Sequence, residues 1–241
     1  MRVLFVNRRS GGADSLDDVT REAERRGIEL RELDGLDPAG ADVLGVAGGD
    51  GSLAPVAELA LARNLPLVVV PLGTRNHFAR DLGLDPGDPV AALDGFDAPE
   101  RRVDVGRVNG RVFLNNVSLG AYAAAVHEEG SLMRWLLRFR RSPLRLGIDG
   151  DERKVLVLLV GNNDYDAAGR RERLDAGTLS AYALEHAPFL RLHRETTLGA
   201  RFVVRARRAW VRAAIDGEPV ELDSPLRFEL EPRALRVRVG G

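Results

Sequence analysis

Cysteine does not occur in the 241 residues, which excludes thiol nucleophiles, disulfides and thiolate metal sites together. Lysine occurs once, as Lys154, although lysine and arginine together number 35. A P-loop needs Gly-Lys-Ser/Thr and a protein kinase needs its strand lysine, and Lys154 stands in neither setting. Any phosphate chemistry must therefore rely on backbone, arginine and metal. An excess of one charge is lacking too. The formal net charge of −1 argues against a nucleic-acid binder that works by bulk electrostatics. Long apolar runs are missing, since the longest, around residues 65–73 and 155–161, are far too short to span a bilayer. Met1 to Val6 enters a strand directly, so no signal peptide and a cytoplasmic location are expected.

What is present is organised around one stretch, Asp42-Val43-Leu44-Gly45-Val46-Ala47-Gly48-Gly49-Asp50-Gly51-Ser52-Leu53. Its apolar run carries no charge and reads as a buried parallel strand. It stops at Gly-Gly-Asp-Gly-Ser, and a helix-compatible run over residues 56–63 follows. Strand, glycine turn and helix present backbone N–H groups and a helix N-terminus to a phosphate. Side chains at the glycines would hold a phosphate away from the backbone. Asp50 cannot itself attract a phosphate, so its role would be to hold a cation, directly or through water. The plain alternative is a tight turn with an exposed Asp.

Two further strands end in the same way. Residues 2–6 give way to Asn7-Arg8-Arg9-Ser10-Gly11-Gly12 before a helical stretch over 15–26 that Asp14 or Ser15 can cap. Residues 28–33 form a short alternating strand. Residues 65–70 end in Pro71-Leu72-Gly73-Thr74-Arg75-Asn76-His77, with a helix over 78–82. In an open parallel sheet those carboxyl ends share one rim, where ligands bind.

Near Pro99 the helical periodicity fades and strand patterns take over. Runs at 103–108 and 111–119 flank Asn109-Gly110, a hairpin signal. Further strands are expected at 155–160, 178–184, 201–207, 210–215, 226–230 and 235–239. The expected division is an α/β domain over residues 1–98 and a β-rich domain over 99–230. One helical interruption, residues 130–141, sets Leu132, Met133, Trp135, Leu136, Leu137 and Phe139 among Arg134, Arg138, Arg140 and Arg141. Such a segment either lies on an anionic membrane surface or packs on the sheet with snorkelling arginines; the pattern favours packing.

The combination of Asn7…Ser10-Gly11, Gly48-Gly49-Asp50-Gly51-Ser52, Pro71-Leu72-Gly73-Thr74-Arg75-Asn76 and Phe113-Leu114-Asn115…Ser118-Leu119-Gly120 resembles the diacylglycerol kinase catalytic domain, shared by soluble bacterial lipid kinases and sphingosine kinases. Asp216-Gly217-Glu218-Pro219 and Pro232-Arg233-Ala234-Leu235-Arg236-Val237 are similar to the family's C-terminal signature. The resemblance implies a nucleotide-binding α/β domain like that of NAD kinases, a β-sandwich second domain, an active site in the cleft between them, and a last strand, about residues 231–241, that returns to the first domain. It implies ATP and Mg²⁺ as cofactors. Asn7, Ser10 and Gly11 would face the nucleotide, and Gly48 to Ser52, that is Gly48, Gly49, Asp50, Gly51 and Ser52, would wrap its phosphates with Asp50 on the Mg²⁺ water shell. Gly73, Thr74 and Asn76 would close the pocket. Asp216 and Glu218 match the family's carboxylates, Glu218 its proton acceptor. From the residues alone Asp216-Gly217 is also a plain hairpin turn.

Four departures qualify the match. His77 stands where the family usually carries an Asp, and Arg75 where it has Gly. Ala54 and Pro55 replace the usual Asn and Glu. Leu174-Asp175-Ala176-Gly177 is similar to a segment that normally reads Asp-Gly and holds a structural Mg²⁺, which leaves Asp175 as a weak substitute. The chain is also short between its second and third strands. Three functions follow as alternatives: an ATP- and Mg²⁺-dependent kinase of diacylglycerol or a similar lipid alcohol, a kinase of a soluble alcohol, or a non-catalytic nucleotide- or lipid-binding module. The first is preferred. Its expected partners are ATP, the lipid, a transient membrane contact through residues 132–139 at the inner membrane face and, as an option, a second copy in a homodimer; nucleic acid is not among them.

Overall fold

Apolar, valine-bearing runs become the inner strands of a parallel sheet. In order along the chain come β1 (Arg2–Val6), α1 (Ala13–Arg25), β2 (Glu29–Glu32), β3 (Val43–Gly48), α2 (Asp50–Arg63), β4 (Leu67–Pro71) and α3 (His77–Asp81). The lateral order is β2-β1-β3-β4, and every neighbouring pair is parallel. β3 and β4 are buried throughout, as strands covered on both faces must be. β2 reads Glu-Leu-Arg-Glu and lies at the edge, where charge discourages pairing with another chain. The structure, a computed structural model, describes residues 1–10, 13–128, 131–141, 143–148, 150–166, 168–185, 191–195 and 199–240, those at 13–14 and 191–195 by backbone only.

The chain divides into two units. The first holds Met1–Val103 and takes back the chain from Arg233 onward; the second is Asp104–Pro232. From the boundary run β5 (Glu100–Val108), β6 (Arg111–Phe113), β7 (Asn116–Gly120), α4 (Ala121–His127), α5 (Leu132–Arg141), β8 (Leu144–Ile148), β9 (Asp151–Asn162), β10 (Leu179–Glu185), β11 (Arg191–Glu195), β12 (Arg201–Ala206), β13 (Trp210–Ile215), β14 (Glu218–Asp223) and β15 (Leu226–Arg238). In the first unit Val237 and Arg238 of β15 pair in parallel with Leu67 and Val68 of β4, adding a strand beside it.

The second unit is antiparallel, ordered β14-β13-β7-β9-β8-β12-β15, with β10 on β9 and β11 on β10. Its strands enclose an apolar core that includes Phe113, Leu158, Val160, Phe202 and Phe228. The rings of Phe202 and Phe228 stack at 4.7 Å, and Phe113 meets Phe228 edge-on at 6.3 Å; each such side chain contributes roughly 1.5–3 kcal/mol by burial. Asn109-Gly110 and Asp216-Gly217 both form two-residue turns with positive φ at both positions, closing β5 on β6 and β13 on β14. That is the geometry the right-handed strand twist favours.

Several elements depart from expectation. α1 begins at Ala13, so Asp14 and Ser15 occupy its first turn rather than capping it. α2 begins at Asp50, not at Val56, drawing Gly51 and Ser52 into the helix and placing Pro55 inside it. The helix gains burial of Ser52, Leu53, Val56 and Ala57, which outweighs the ~1 kcal/mol intrinsic cost of Gly51. The run over residues 111–119 splits into β6 and β7, and the two runs on either side of Pro232 are one strand, kinked where Arg233 takes φ 52°. α4 and β8 had no periodic signal and were not expected.

α5 packs, as the pattern favours. Trp135 is buried with Ala121 and Ala124, its ring 6.3 Å from Phe139, so it belongs to the packed face of the helix. The apolar side chains exposed on α5 are Leu132, Met133 and Leu137. Among the described residues no helix is long and apolar enough to cross a membrane.

Candidate active site

β1, β3 and β4 are adjacent and parallel, so their carboxyl ends lie along one rim of the first unit. The turns there touch. A Cβ on Gly73 would lie 2.4 Å from Gly49 Cα and 2.8 Å from Asn76 Oδ1, and one on Gly48 would lie 2.5 Å from Ser52 Oγ. Two backbones therefore meet without side chains between them, and only glycine fits. Gly49 is the N-cap of α2 in extended conformation, with no side-chain cap. The first turn of a 14-residue helix thus starts at the rim without a side-chain cap from Gly49 and with Asp50 as its acidic residue, a suitable cradle for phosphate.

The polar side chains on the rim tie the turns to one another. Asn7 Nδ2 donates to Ser52 Oγ at 2.8 Å, and its Oδ1 accepts the Arg9 N–H at 3.0 Å. The Ser10 N–H bonds to the Asn7 carbonyl at 3.0 Å. Ser52 is buried, so its hydroxyl cross-links β1 to α2 from inside the fold. Asn76 is buried at φ 50°, and its Oδ1 accepts the Gly73 N–H at 2.9 Å. Asp50 accepts the His77 N–H at 3.1 Å and the Phe78 N–H at 3.3 Å. Its carboxylate caps α3 from a neighbouring turn. Gly51, Thr74 and His77 are exposed, while Gly11 lies outside the described residues. Arg9 and Arg75 are exposed on the same turns.

In the second unit, β13 delivers Asp216 into a buried polar cluster. Its carboxylate accepts the N–H groups of Leu114 and Asn115 at 2.8 Å and of Asn116 at 3.0 Å. Burial pushes its pKa up to about 6, against the pull of those three donors and of Arg171. Arg171 is itself buried, donating to the Asn162 carbonyl at 3.0 Å and to Asn115 Oδ1 at 2.6 Å. Tyr165 donates its hydroxyl to the Asn115 carbonyl at 3.1 Å. Every oxygen of Asp216 is thus engaged in holding the 114–116 turn. Glu218 differs: it opens β14 on the far side of the turn, is exposed, and has no hydrogen-bond or ionic partner among the described residues. Asp175 accepts from Arg173 at 3.2 Å, and a cation already beside it makes it a poor metal ligand. No group of three or more His, Asp or Glu placed to hold a metal occurs among the described residues.

The fit to the implied cofactors is therefore uneven. A triphosphate suits the bare N-terminus of α2. A magnesium ion would find one carboxylate on this rim, Asp50, which supports an ion held largely through its water shell rather than by direct ligands. Sequence reasoning missed Arg171, Tyr165 and Asn162, because a buried arginine in an aperiodic stretch looks like any surface arginine.

These features belong to a class of phosphate-handling α/β folds, and comparison with known proteins gives the family. A family profile described as "Diacylglycerol kinase catalytic domain" matches residues 2–108. A protein of Pseudomonas fluorescens named "Probable lipid kinase YegS-like" is 33% identical over an alignment 277 positions long, gaps included, covering 99% of this chain and 90% of that protein. Its namesake in Pseudomonas aeruginosa is 35% identical over 238 residues, covering 83% and 78%. A protein of Mycobacterium tuberculosis named "Diacylglycerol kinase" is 28% identical over 170 residues, covering 58% and 55%. Among solved structures, a diacylglycerol kinase of Bacillus anthracis superposes with a TM-score of 0.74 at 18% identity, covering 99% of this chain and 96% of that one. The chain belongs to the diacylglycerol kinase catalytic-domain family, within its group of YegS-like lipid kinases.

Proposed function

We propose that the protein transfers the γ-phosphoryl group of ATP, with Mg²⁺, to the hydroxyl of diacylglycerol or a similar lipid alcohol. The observation that carries this is the division of labour between two carboxylates one turn apart. Asp216 is consumed by three backbone donors, whereas Glu218 is exposed and uncommitted. A lipid alcohol is a poor nucleophile, and Glu218 takes its proton as the O–P bond forms. The N–H groups at the start of α2 hold the phosphates, Asp50 would hold a metal ion through its water shell so that the ion could offset the phosphate charge, and Arg9 and Arg75 supply the cationic side chains that a lysine-poor chain otherwise lacks. The exposed Leu132, Met133 and Leu137 on α5 support contact with the membrane that presents the lipid.

The test is a paired measurement on Glu218→Gln, with ATP binding by calorimetry and lipid phosphorylation by label transfer in mixed micelles. Turnover falls ~10²–10⁴-fold and nucleotide affinity stays put. Retained turnover rejects Glu218 as the base. A second reading, a non-catalytic binding module, draws on Asp50, whose carboxylate already caps α3. It predicts ATP binding with no transfer to any lipid alcohol by the unaltered protein.

A further inference from the structure

The second unit contains a cavity that the chemistry above does not use. It measures about 650 Å³ and opens between α5, β8, β12 and β13, within the size range of small-ligand pockets. Arg138, Arg145, Arg207 and Arg208 line it together with Trp135 and Trp210. A second hollow of about 560 Å³ shares Arg145 and Arg207 and adds Arg205. The acidic residue on the wall of the first is Glu128, and its carboxylate is already held by Arg212 at 3.2 Å. Glu152 lines the second. Arg145, Arg207 and Arg208 have no acidic partner among the described residues. Arg138 stacks its guanidinium 4.8 Å over the Trp135 ring, and the buried Trp135 indole N–H has no hydrogen-bond partner among the described residues.

Arginines on one cavity wall without acidic partners among the described residues call for an anion, and the surroundings say which kind. α5, one wall of the cavity, also carries Leu132, Met133 and Leu137 at 39%, 63% and 57% exposure, and Trp210 on the opposite wall is 43% exposed. A soluble anion needs arginines but neither the exposed Trp210 on the cavity wall nor the exposed apolar side chains of α5, which lie outside the cavity lining. A headgroup anchored in a bilayer uses both, because the same approach that seats the phosphate puts the apolar side chains into the acyl boundary. The cavity is also separate from the carboxylates assigned to chemistry. It lies at the Trp210 end of β13, while Asp216 and Glu218 follow Ile215 at the other end, roughly 17 Å along the strand.

We propose that this cavity binds the phosphate headgroup of an anionic phospholipid, as a docking site distinct from the site of the acceptor lipid. The proposal rests on the lipid-kinase reading only in taking its ligand from a membrane. The experiment is co-sedimentation of the full chain with vesicles of phosphatidylcholine alone and of phosphatidylcholine doped with phosphatidylglycerol. The variants are Arg145→Gln/Arg207→Gln and the charge-keeping Arg145→Lys/Arg207→Lys. The wild type binds doped vesicles preferentially. The Gln pair loses about fivefold per arginine, on the order of 25-fold in all, with its thermal midpoint unchanged, and the Lys pair recovers much of that loss.

Undiminished binding of the Gln pair to doped vesicles overturns the proposal. So does equal affinity of the wild type for a soluble polyanion such as heparin, which would mark a generic basic surface. Phosphoryl transfer to a short-chain diacylglycerol dispersed without bilayer stays at the wild-type rate in the Gln pair. Absence of that transfer in the wild type itself counts against the kinase reading and leaves the vesicle result to stand or fall alone.

Discussion

Asp50 binds the backbone of His77: Oδ2 accepts the His77 N–H at 3.1 Å while Oδ1 reaches the next N–H along. The carboxylate that the family resemblance assigns to the metal thus also holds the first turn of α3. The two roles are compatible, since a carboxylate can accept from more than two donors, and they separate under substitution.

Asp50→Asn keeps an acceptor for α3 but loses the charge. Phosphoryl transfer falls by on the order of 10²–10³, while stability changes by less than in Asp50→Ala, which loses the cap at about 1 kcal/mol. His77→Asp restores a second carboxylate at the N-terminus of α3 and tightens the Mg²⁺ dependence of transfer. Label transfer across a Mg²⁺ titration, alongside urea unfolding, checks both. Wild-type turnover in Asp50→Asn would leave Asp50 as a cap alone.

Asp216 gives the stability a pH dependence of unusual sign for a carboxylate. Its pKa is raised from 3.8 to about 6 in the folded chain, so the folded state holds the proton more tightly than the unfolded state does. The contribution is fully present below the unfolded value and is lost as pH rises through about 6. Glu22 and Glu100, each lowered to about 2 by flanking arginines, act in the opposite sense and lose their contribution as pH falls. Comparing the wild type with Asp216→Asn cancels those exposed groups. The wild type gains on the variant by roughly 2 kcal/mol between neutral pH and pH ~4, measured by denaturant unfolding at both. A difference that does not change with pH would mean that the three backbone donors and Arg171 cancel the effect of burial, and one that reverses would mean that they outweigh it.

Trp135 and Met133 occupy opposite faces of α5 and separate packing from surface contact. Trp135→Ala empties a site between α4 and α5 and costs about 3–5 kcal/mol. Met133→Ser, at a position 63% exposed, leaves the thermal midpoint nearly unchanged and weakens binding to phosphatidylcholine vesicles. A large stability loss in Met133→Ser would place that side chain in a packed environment.

The first unit was legible because its signals are local. An uncharged run such as Val43 to Ala47 can only be a covered strand, and Gly48-Gly49 can only be a turn that another backbone approaches. What stayed hidden there was partnership: nothing in Asp50 or Ser52 announces that one caps α3 and the other takes a bond from Asn7. The second unit was legible in its hairpins, whose Asn-Gly and Asp-Gly turns are self-contained, but not in its interior. Arg171 and Asn162 act across more than forty residues of sequence on Leu114, and pairings of that kind leave no periodic trace. Trp135 was ambiguous because an amphipathic helix looks alike whether its apolar face meets a sheet or a bilayer.

β15 has a consequence for how the protein is made. Leu67 and Val68, near the middle of the first unit's sheet, pair with Val237 and Arg238. A ribosome therefore releases every other strand of that sheet, and the whole second unit, before the segment that completes it emerges. Until then one ladder of β4 stands open while the chain lengthens. The nascent first unit is a sheet with an adhesive edge, and closing it waits until the second unit has been made, so a stop codon just before Arg236 would leave that edge open for good.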